Sequence, residues 1–239
     1  MEEKLLTIRE AAEILGVSID TLRRWDKSGK LAAIRKEGGV HRYYREKDLQ
    51  IFASDLVKLA HDWVLNGSEI SSTFYCASSS VFQARLIRMQ DELMKVDAAH
   101  AMLPLVVAVA GEIGNNSFDH NLGQWPDTPG IFFGYDINKR QIVLADRGLG
   151  ILKTLSRVRP ELKNHIEALR VAFTEIISGR APESRGNGLK FVRQVIAENP
   201  ISLFFLSGDA ELRLKKNDNE LFLAQSNVDI HGCFAIIEF

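Results

Sequence analysis

The sequence is poor in cysteine: Cys76 and Cys233 are the only two in 239 residues, and neither belongs to a CxxC pair. A disulfide scaffold and a zinc framework are therefore not expected, and a reducing compartment is. Long apolar runs are missing as well. The longest, Ala101 to Gly111, is broken by Pro104 and falls well short of the ~20 residues that span a bilayer, so no membrane segment is expected. The opening Met-Glu-Glu-Lys is charged and leads into no apolar signal core, which argues against export. Net charge is nearly absent too, at -1. With 46% hydrophobic and 26% charged residues, the chain has the balance of a globular protein rather than a disordered one. Its length allows one large or two modest domains.

That near-neutral total conceals a local excess. Residues 21–47 hold nine Lys or Arg against three acids, a net of +6, while the remainder is acidic. Such a block suggests a polyanionic partner, the alternative being a solvated face. Thr7-Ile-Arg-Glu10 reads as a capping box that starts a helix. Ala11, Ala12, Ile14 and Leu15 form its buried side, and Gly16 ends it. Ser18 caps a second helix, Ile19 to Ser28, closed by Gly29. In that helix Leu22 and Trp25 anchor to the core, while Thr21, Arg23, Arg24 and Lys27 face outward. Next, Ala33 to Lys36 and Val40 to Tyr44 flank Glu37-Gly-Gly39, the pattern of a hairpin. Its Arg35, Lys36, His41, Arg42 and Arg45, with Tyr43 and Tyr44, make a basic wing.

The stretch AAEILGVSIDTLRRWDKSGKL followed by GGVHRYYREKDL resembles the winged helix-turn-helix of the MerR and excisionase families, over roughly residues 5–50. The resemblance implies a second helix in the major groove and a wing on the sugar-phosphate backbone. Base-edge contacts specify sequence and phosphate contacts position the protein. Thr21, Arg23 and Arg24 are thus the specificity candidates, and Lys36, Arg42 and Tyr43 the phosphate candidates. The competing reading is a helix-turn-helix used only for protein contact.

Glu46 to Leu65 reads as one amphipathic helix with Leu49, Phe52, Leu56, Leu59 and Trp63 on one side, stopped by Asn66-Gly-Ser68. The serine-rich segment that follows, with Phe74-Tyr75-Cys76, fits either a boundary or a short strand. Phe82, Leu86, Met89, Leu93 and Val96 then alternate spacings of four and three. That stripe belongs to a helix packed within the chain or against its own copy. No histidine lies between Phe82 and Ala99, and His100 lacks the acidic neighbour of a phosphoacceptor, which argues against the autophosphorylated helix of a sensor kinase.

Candidate chemistry starts in Gly111 to Asn121, GEIGNNSFDHN. Glu112, Asn116 and His120 fall four apart and share one helix face. A carboxylate, an amide and an imidazole in that row can orient water, hold a cation and touch an anion, or simply meet solvent. Because Leu105 to Ala110 is apolar throughout, the helix should be buried except for this row, which would face a pocket. Strands at Gly130 to Tyr135 and Gln141 to Ala145 deliver Asp146, followed by Gly148 and Gly150. A carboxylate at a strand end can accept from an exocyclic amine, and the glycines admit a base or phosphate, though DxGxG also makes an ordinary turn. Gly186-Asn-Gly188-Leu189 opens a helix to about Glu198, with free amides at a positive dipole end.

In this order, EIGNNSFDH, DRGLGI and RGNGLKFV resemble the N, G1 and G2 boxes of the GHKL ATPase superfamily, which includes gyrase B, MutL, the heat-shock chaperone ATPases and sensor histidine kinase domains. The resemblance covers roughly residues 100–239, with strands at 201–207, 211–215, 220–223 and 232–238. It implies ATP and Mg2+ as cofactors. Asn116 would coordinate the Mg2+, Glu112 would serve as general base or water-orienting group, and His120 would contact phosphate. Asp146 would recognise the adenine amino group, with Gly148 and Gly150 shaping that wall. Gly186, Gly188 and Leu189 would meet the phosphates, and Arg185 the γ-phosphate charge. Having both Glu112 and Asn116 argues for turnover. Residues 151–185 correspond to the ATP lid, with a helix at Glu161 to Ile177. Departures from the pattern are Arg147 where sensor kinases usually have Asn, Lys190 where they often have Gly, and Cys233 where related folds often carry Thr.

The expected molecule is an α/β two-domain protein: an N-terminal winged helix-turn-helix with its following helix (residues 1–66), a helical connection (67–99), and a C-terminal two-layer α/β sandwich of the GHKL ATPase type (100–239). The function expected of it is Mg-dependent ATP binding and hydrolysis that controls the DNA-binding module. Double-stranded DNA and a second copy of the chain are the expected partners, in a cytoplasmic, nucleoid-associated setting. Two alternatives stay open: a kinase of anti-sigma or histidine-kinase type acting on a protein partner, and a nucleotide-sensing scaffold without turnover.

Overall fold

The computed structural model describes residues 4–15, 17–28, 31–35, 39–53, 56–96, 101–175 and 188–239. Strand β1 (Leu5–Thr7) leads into α1 (Ile8–Leu15). The junction is the expected capping box: Thr7 N donates to Glu10 Oε2 at 2.7 Å, and Glu10 N to Thr7 Oγ1 at 3.4 Å. Ser18 accepts from Thr21 N at 3.1 Å and starts α2 (Ile19–Ser28). Strand β2 (Tyr43–Arg45) pairs antiparallel with β1, Leu6 opposite Tyr44, and Tyr43 also exchanges both backbone bonds with Ile34. The sequence did not betray β1, because three residues give no period to read. Helix α3 (Glu46–Ala53) closes this part, whose core is Leu6, Ala11, Ala12, Leu22, Leu31, Tyr44 and Leu49.

In the helix expected over Glu46 to Leu65, residues 54–55 lie outside the described residues, and the helical residues on either side of them serve different cores. Helix α4 (Leu56–Asn66) leaves the first core and lies on a different one, with Leu56, Ala60, Trp63 and Val64 buried against Phe132, Val143, Ala145 and Phe234. Its apolar stripe and that of α3 run on in sequence but serve different cores, which periodicity alone cannot separate. Short strand β3 (Tyr75–Cys76) resolves the ambiguity of the serine-rich segment. Helix α5 (Ser79–Val96) buries Phe82, Leu86, Met89 and Leu93 inside the chain, so this stripe is an internal packing face; Val96 is 71% exposed. It lies along α6 (Leu103–Asn121), where Phe82 packs on Gly114 and Gln83 Nε2 donates to Asn115 Oδ1 at 2.6 Å.

Strands β4 (Ile131–Asp136) and β5 (Gln141–Asp146), helices α7 (Gly150–Leu155), α8 (His165–Thr174) and α9 (Gly188–Glu198), and strands β6 (Ser202–Leu214) and β7 (Phe222–Glu238) complete the chain. The pairs expected at 201–207 with 211–215 and at 220–223 with 232–238 are each one long strand, bent by register shifts beside Gly208. The long lid helix is the shorter α8. All five strands of the sheet pair antiparallel in the order β3-β4-β5-β7-β6. Alternate residues feed opposite faces: Phe133, Leu144, Phe205 and Ile237 meet α5, α6, α8 and α9, while Phe132, Val143, Leu206 and Phe234 meet α4. The two expected layers thus gain a partial third one, α4. That is why β4 is buried at every position instead of alternating with polar residues.

His100, Lys36, Arg185, Gly186 and the lid end 178–184 lie outside the described residues. Among the described residues no helix is long and apolar enough to cross a membrane.

Candidate functional site

Asn116, His120, Asp146, Gly150 and Leu189 line one cavity of about 30 Å³ between α6, the end of β5 and the start of α9, together with Ser117, Thr154 and Cys233. Glu112, one helical turn before Asn116, is not among the lining residues. A methyl group added to Gly188 would lie 2.6 Å from Glu112 Oε2 and 3.3 Å from Asn116 Nδ2, so the first residue of α9 abuts the polar row directly. The helix dipole therefore points its positive end toward these oxygens. Three stretches separated by up to 76 positions meet here.

Asp146 is the buried centre, 2% exposed. Its Oδ2 accepts from Ser117 Oγ at 2.7 Å and its Oδ1 from Gly148 N at 2.9 Å. Burial pushes its carboxyl up to about 6, opposed by these bonds and by one from the Cys233 backbone. A group that is partly protonated near neutrality and is reached by donors on both oxygens can either accept or donate to a ligand. Cys233 lies against the same carboxylate, and burial first, then that charge, raise its thiol well above the usual range. A protonated thiol is a weak nucleophile, so Cys233 serves as a wall.

Four polar or small residues went unread in the sequence: Ser117 and Asn121, which line the pocket, and Ser207 and Gly232, which hold or adjoin its lining residues Ile151 and Cys233. Asn121 donates to Ser117 O at 2.7 Å and accepts from Leu149 N at 2.7 Å, holding the loop after β5 onto the end of α6. Ser207 accepts from Ile151 N at 3.0 Å and donates to Gly232 O at 3.0 Å. Gly232 has φ +86, and a methyl there would lie 2.2 Å from Asp146 O, so only glycine lets β7 pass the loop. A signal for two of them existed: Ile113, Ser117 and Asn121 form the helix row next to Glu112, Asn116 and His120.

Arg147 points the other way. Its Nε and Nη2 donate to Asp127 Oδ2 at 2.8 and 2.5 Å, and its Nη1 to the carbonyls of Trp63 and Val64 at 2.7 and 2.9 Å. Among the described residues no group of three metal-binding His, Cys, Asp or Glu side chains occurs. A cation at the polar row would have to take most of its ligands from elsewhere.

The second feature is a concavity lined by Arg23, Arg24, Lys27, Arg35 and Arg42 around one acid, Asp26. The acid organises the cations: Arg35 Nη2 and Arg42 Nε each reach Asp26 Oδ2 at 2.6 Å, and Ala33 N donates to Oδ1 at 3.0 Å. Burial alone would raise the Asp26 carboxyl, but these three donors hold it below the ordinary range. Asp20 pairs with Arg23 at 2.9 Å, and Arg24 Nη2 donates to Thr21 Oγ1 at 3.2 Å. His41 is exposed and Tyr43 half-buried. Arg45 is not part of this concavity. It is 3.7 Å from Asp48 and lines a separate cleft between α3 and α5.

Residues 7–44 match the profile of the MerR family regulatory protein. This segment is a MerR-family helix-turn-helix domain. Regulators of the MerR family bind DNA. Over 53 residues, 22% of the chain, the sequence is 47% identical to the transcriptional repressor DcmR of Methylorubrum extorquens. Over 75 residues, 31% of the chain, it is 35% identical to the type II methyltransferase M.Eco47II of Escherichia coli. These stretches span 20% and 18% of the two relatives, about a fifth of each. The MerR-family domain contains the basic concavity, and Arg45 falls just outside the matched segment.

Proposed function

We propose that this protein is a transcription regulator whose MerR-family domain binds double-stranded DNA under the control of Mg-ATP held by a GHKL-type C-terminal domain. The observation that supports it most is that Asn116, His120, Asp146 and Leu189 line one cavity, with Glu112 and Gly188 beside Asn116, in a chain that also carries the basic concavity. A hard cation takes oxygen ligands and keeps several waters, so Asn116 with Glu112 nearby suffices beside the oxygens of a triphosphate.

The bound Mg2+ would neutralise phosphate charge and polarise the terminal phosphoryl group. Asp146 fixes the base by accepting from its exocyclic amine, with Ser117 holding the carboxylate in place. Glu112 orients a water and takes its proton. His120 and the α9 amides at Gly188 and Leu189 bind anionic oxygens, a role in which Arg185 and Gly186 join them in sequence. On DNA, Arg24 and Lys27 meet the groove and its phosphates. Arg35 and Arg42, fixed by Asp26, set the wing. Two copies on a two-fold site would pair two such concavities.

DNA fragments selected from a random pool by the full-length protein provide the test, with affinity and stoichiometry measured by filter binding with and without Mg-ATP. Asn116→Ala serves as the nucleotide-site control. A shift present in the natural protein and lost in the variant is expected; identical binding in both conditions would refute the proposal. Labelled ATP separates hydrolysis from phosphotransfer, since a kinase would move label onto protein rather than into free phosphate.

A further inference from the structure

We infer that Arg147 is the positioning residue that carries the state of the nucleotide pocket to the DNA-binding domain through α4. The inference rests on the reading of the pocket given above. Asp146 and Arg147 are consecutive at the end of β5, and the two-residue period of a strand sends them to opposite faces of the sheet. Asp146 enters the cavity. Arg147 lies on the α4 side, where its side chain is only 13% exposed.

Each nitrogen of that guanidinium is engaged. Nη1 donates to Trp63 O, which also accepts from Gly67 N at 2.9 Å, and to Val64 O; both are among the last four carbonyls of α4. Nε and Nη2 clamp Asp127 on the loop between α6 and β4. A cation at this helix end also meets the negative end of the dipole. Gly148 N, one residue beyond Arg147, donates to the pocket carboxylate. The loop therefore cannot shift around a ligand without moving the group that caps α4.

The far end of α4 begins at Leu56, three positions after α3 ends at Ala53. Phe52 of α3 packs on Trp25 of α2, with ring centroids 4.8 Å apart, and α2 carries the outward Arg23, Arg24 and Lys27. A rotation or displacement of α4 is thus passed along the chain to α3, which packs on the helix that carries the basic face. An ordinary cap would not need to sit beside the pocket carboxylate; Arg147 does both.

The test measures two quantities on the full chain: ATP affinity by calorimetry, and the change in DNA affinity caused by Mg-ATP. In Arg147→Gln, ATP affinity should stay within about twofold, while a shift of roughly tenfold in DNA affinity falls below about twofold. Arg147→Lys, which can keep one bond to the α4 carbonyls, should retain an intermediate shift and guards against a folding defect in the first variant. A full shift in both variants with ATP affinity intact would overturn the inference and leave the proposed function standing. Parallel loss of ATP affinity and shift would also overturn it, by making Arg147 a prop of the pocket alone. Failure of the unaltered protein to bind ATP would instead remove the reading on which the inference rests.

Discussion

Full burial at the end of β5 raises the Asp146 carboxyl to about 6, from an ordinary value of 3.8. The folded chain holds this proton more tightly than the unfolded one, so the associated stability is fully present below pH 3.8 and is lost as pH rises through about 6. The size of that loss is on the order of 3 kcal/mol. Asp146→Asn keeps an acceptor for Gly148 N and lets the Ser117 hydroxyl turn to accept, but it removes the titration. Chemical denaturation at pH 4.5 and pH 7 should find the variant gaining on the natural protein as pH rises, by roughly 1–3 kcal/mol. An unchanged difference at the two pH values would mean that the carboxyl titrates normally. The same variant should bind ATP more weakly, because an amide presents a donor where the base amine needs an acceptor. A residue retained at a cost to stability near neutral pH is one whose charge has a use.

At the scale of elements, the wing and α2 are joined through one carboxylate. Asp26 is 8% exposed at its side chain and gathers Arg35, Arg42 and the Ala33 amide. Simple charge counting expects Asp26→Ala to tighten DNA binding, because it removes an acid from a basic concavity. The geometry expects the reverse: hydrogen bonds to charged groups contribute roughly 1.5–3 kcal/mol each, and without them the two arginines lose their fixed placement. Gel-shift titration should show binding weakened about tenfold; tighter binding would show that net charge outweighs placement.

Helices α1 and α2 were readable because their starts depend on local bonds, Thr7 with Glu10 and Ser18 with Thr21, that lie within four residues. Strand β1 was not, since its only partner is β2, about 38 residues further along. Of the pocket, the sequence disclosed the charged and glycine-rich parts, whose chemistry is uncommon in a core. It hid Asn121 and Ser207, whose roles arise only when the Leu149 and Ile151 amides arrive from elsewhere in the chain. Arg147 stood out as a departure from a pattern, yet only the fold brings it the α4 carbonyls and Asp127.

For the whole molecule, the sheet order decides what can be removed. Strand β7 comes last in sequence but lies inside the sheet, paired with β5 on one side and β6 on the other. Deleting residues 233–239 would leave β6 without the neighbour that attaches it to β5 and would open the pocket wall at Cys233. Thermal unfolding followed by near-ultraviolet circular dichroism should lose its cooperative transition in that truncation; a merely lowered midpoint would show that β6 can attach without β7.

The same order sets a schedule during translation. Strands β4 and β5 leave the ribosome together, but roughly ninety residues separate Asp146 from Glu238, on the order of ten seconds of synthesis. Throughout that interval Val143, Ala145 and the apolar side of α4 wait for Phe234, and β5 offers an unpaired edge to whatever is near. The domain proposed to sense nucleotide thus stays open until β7 is made, and a chaperone covering the β5 edge would protect it in that interval.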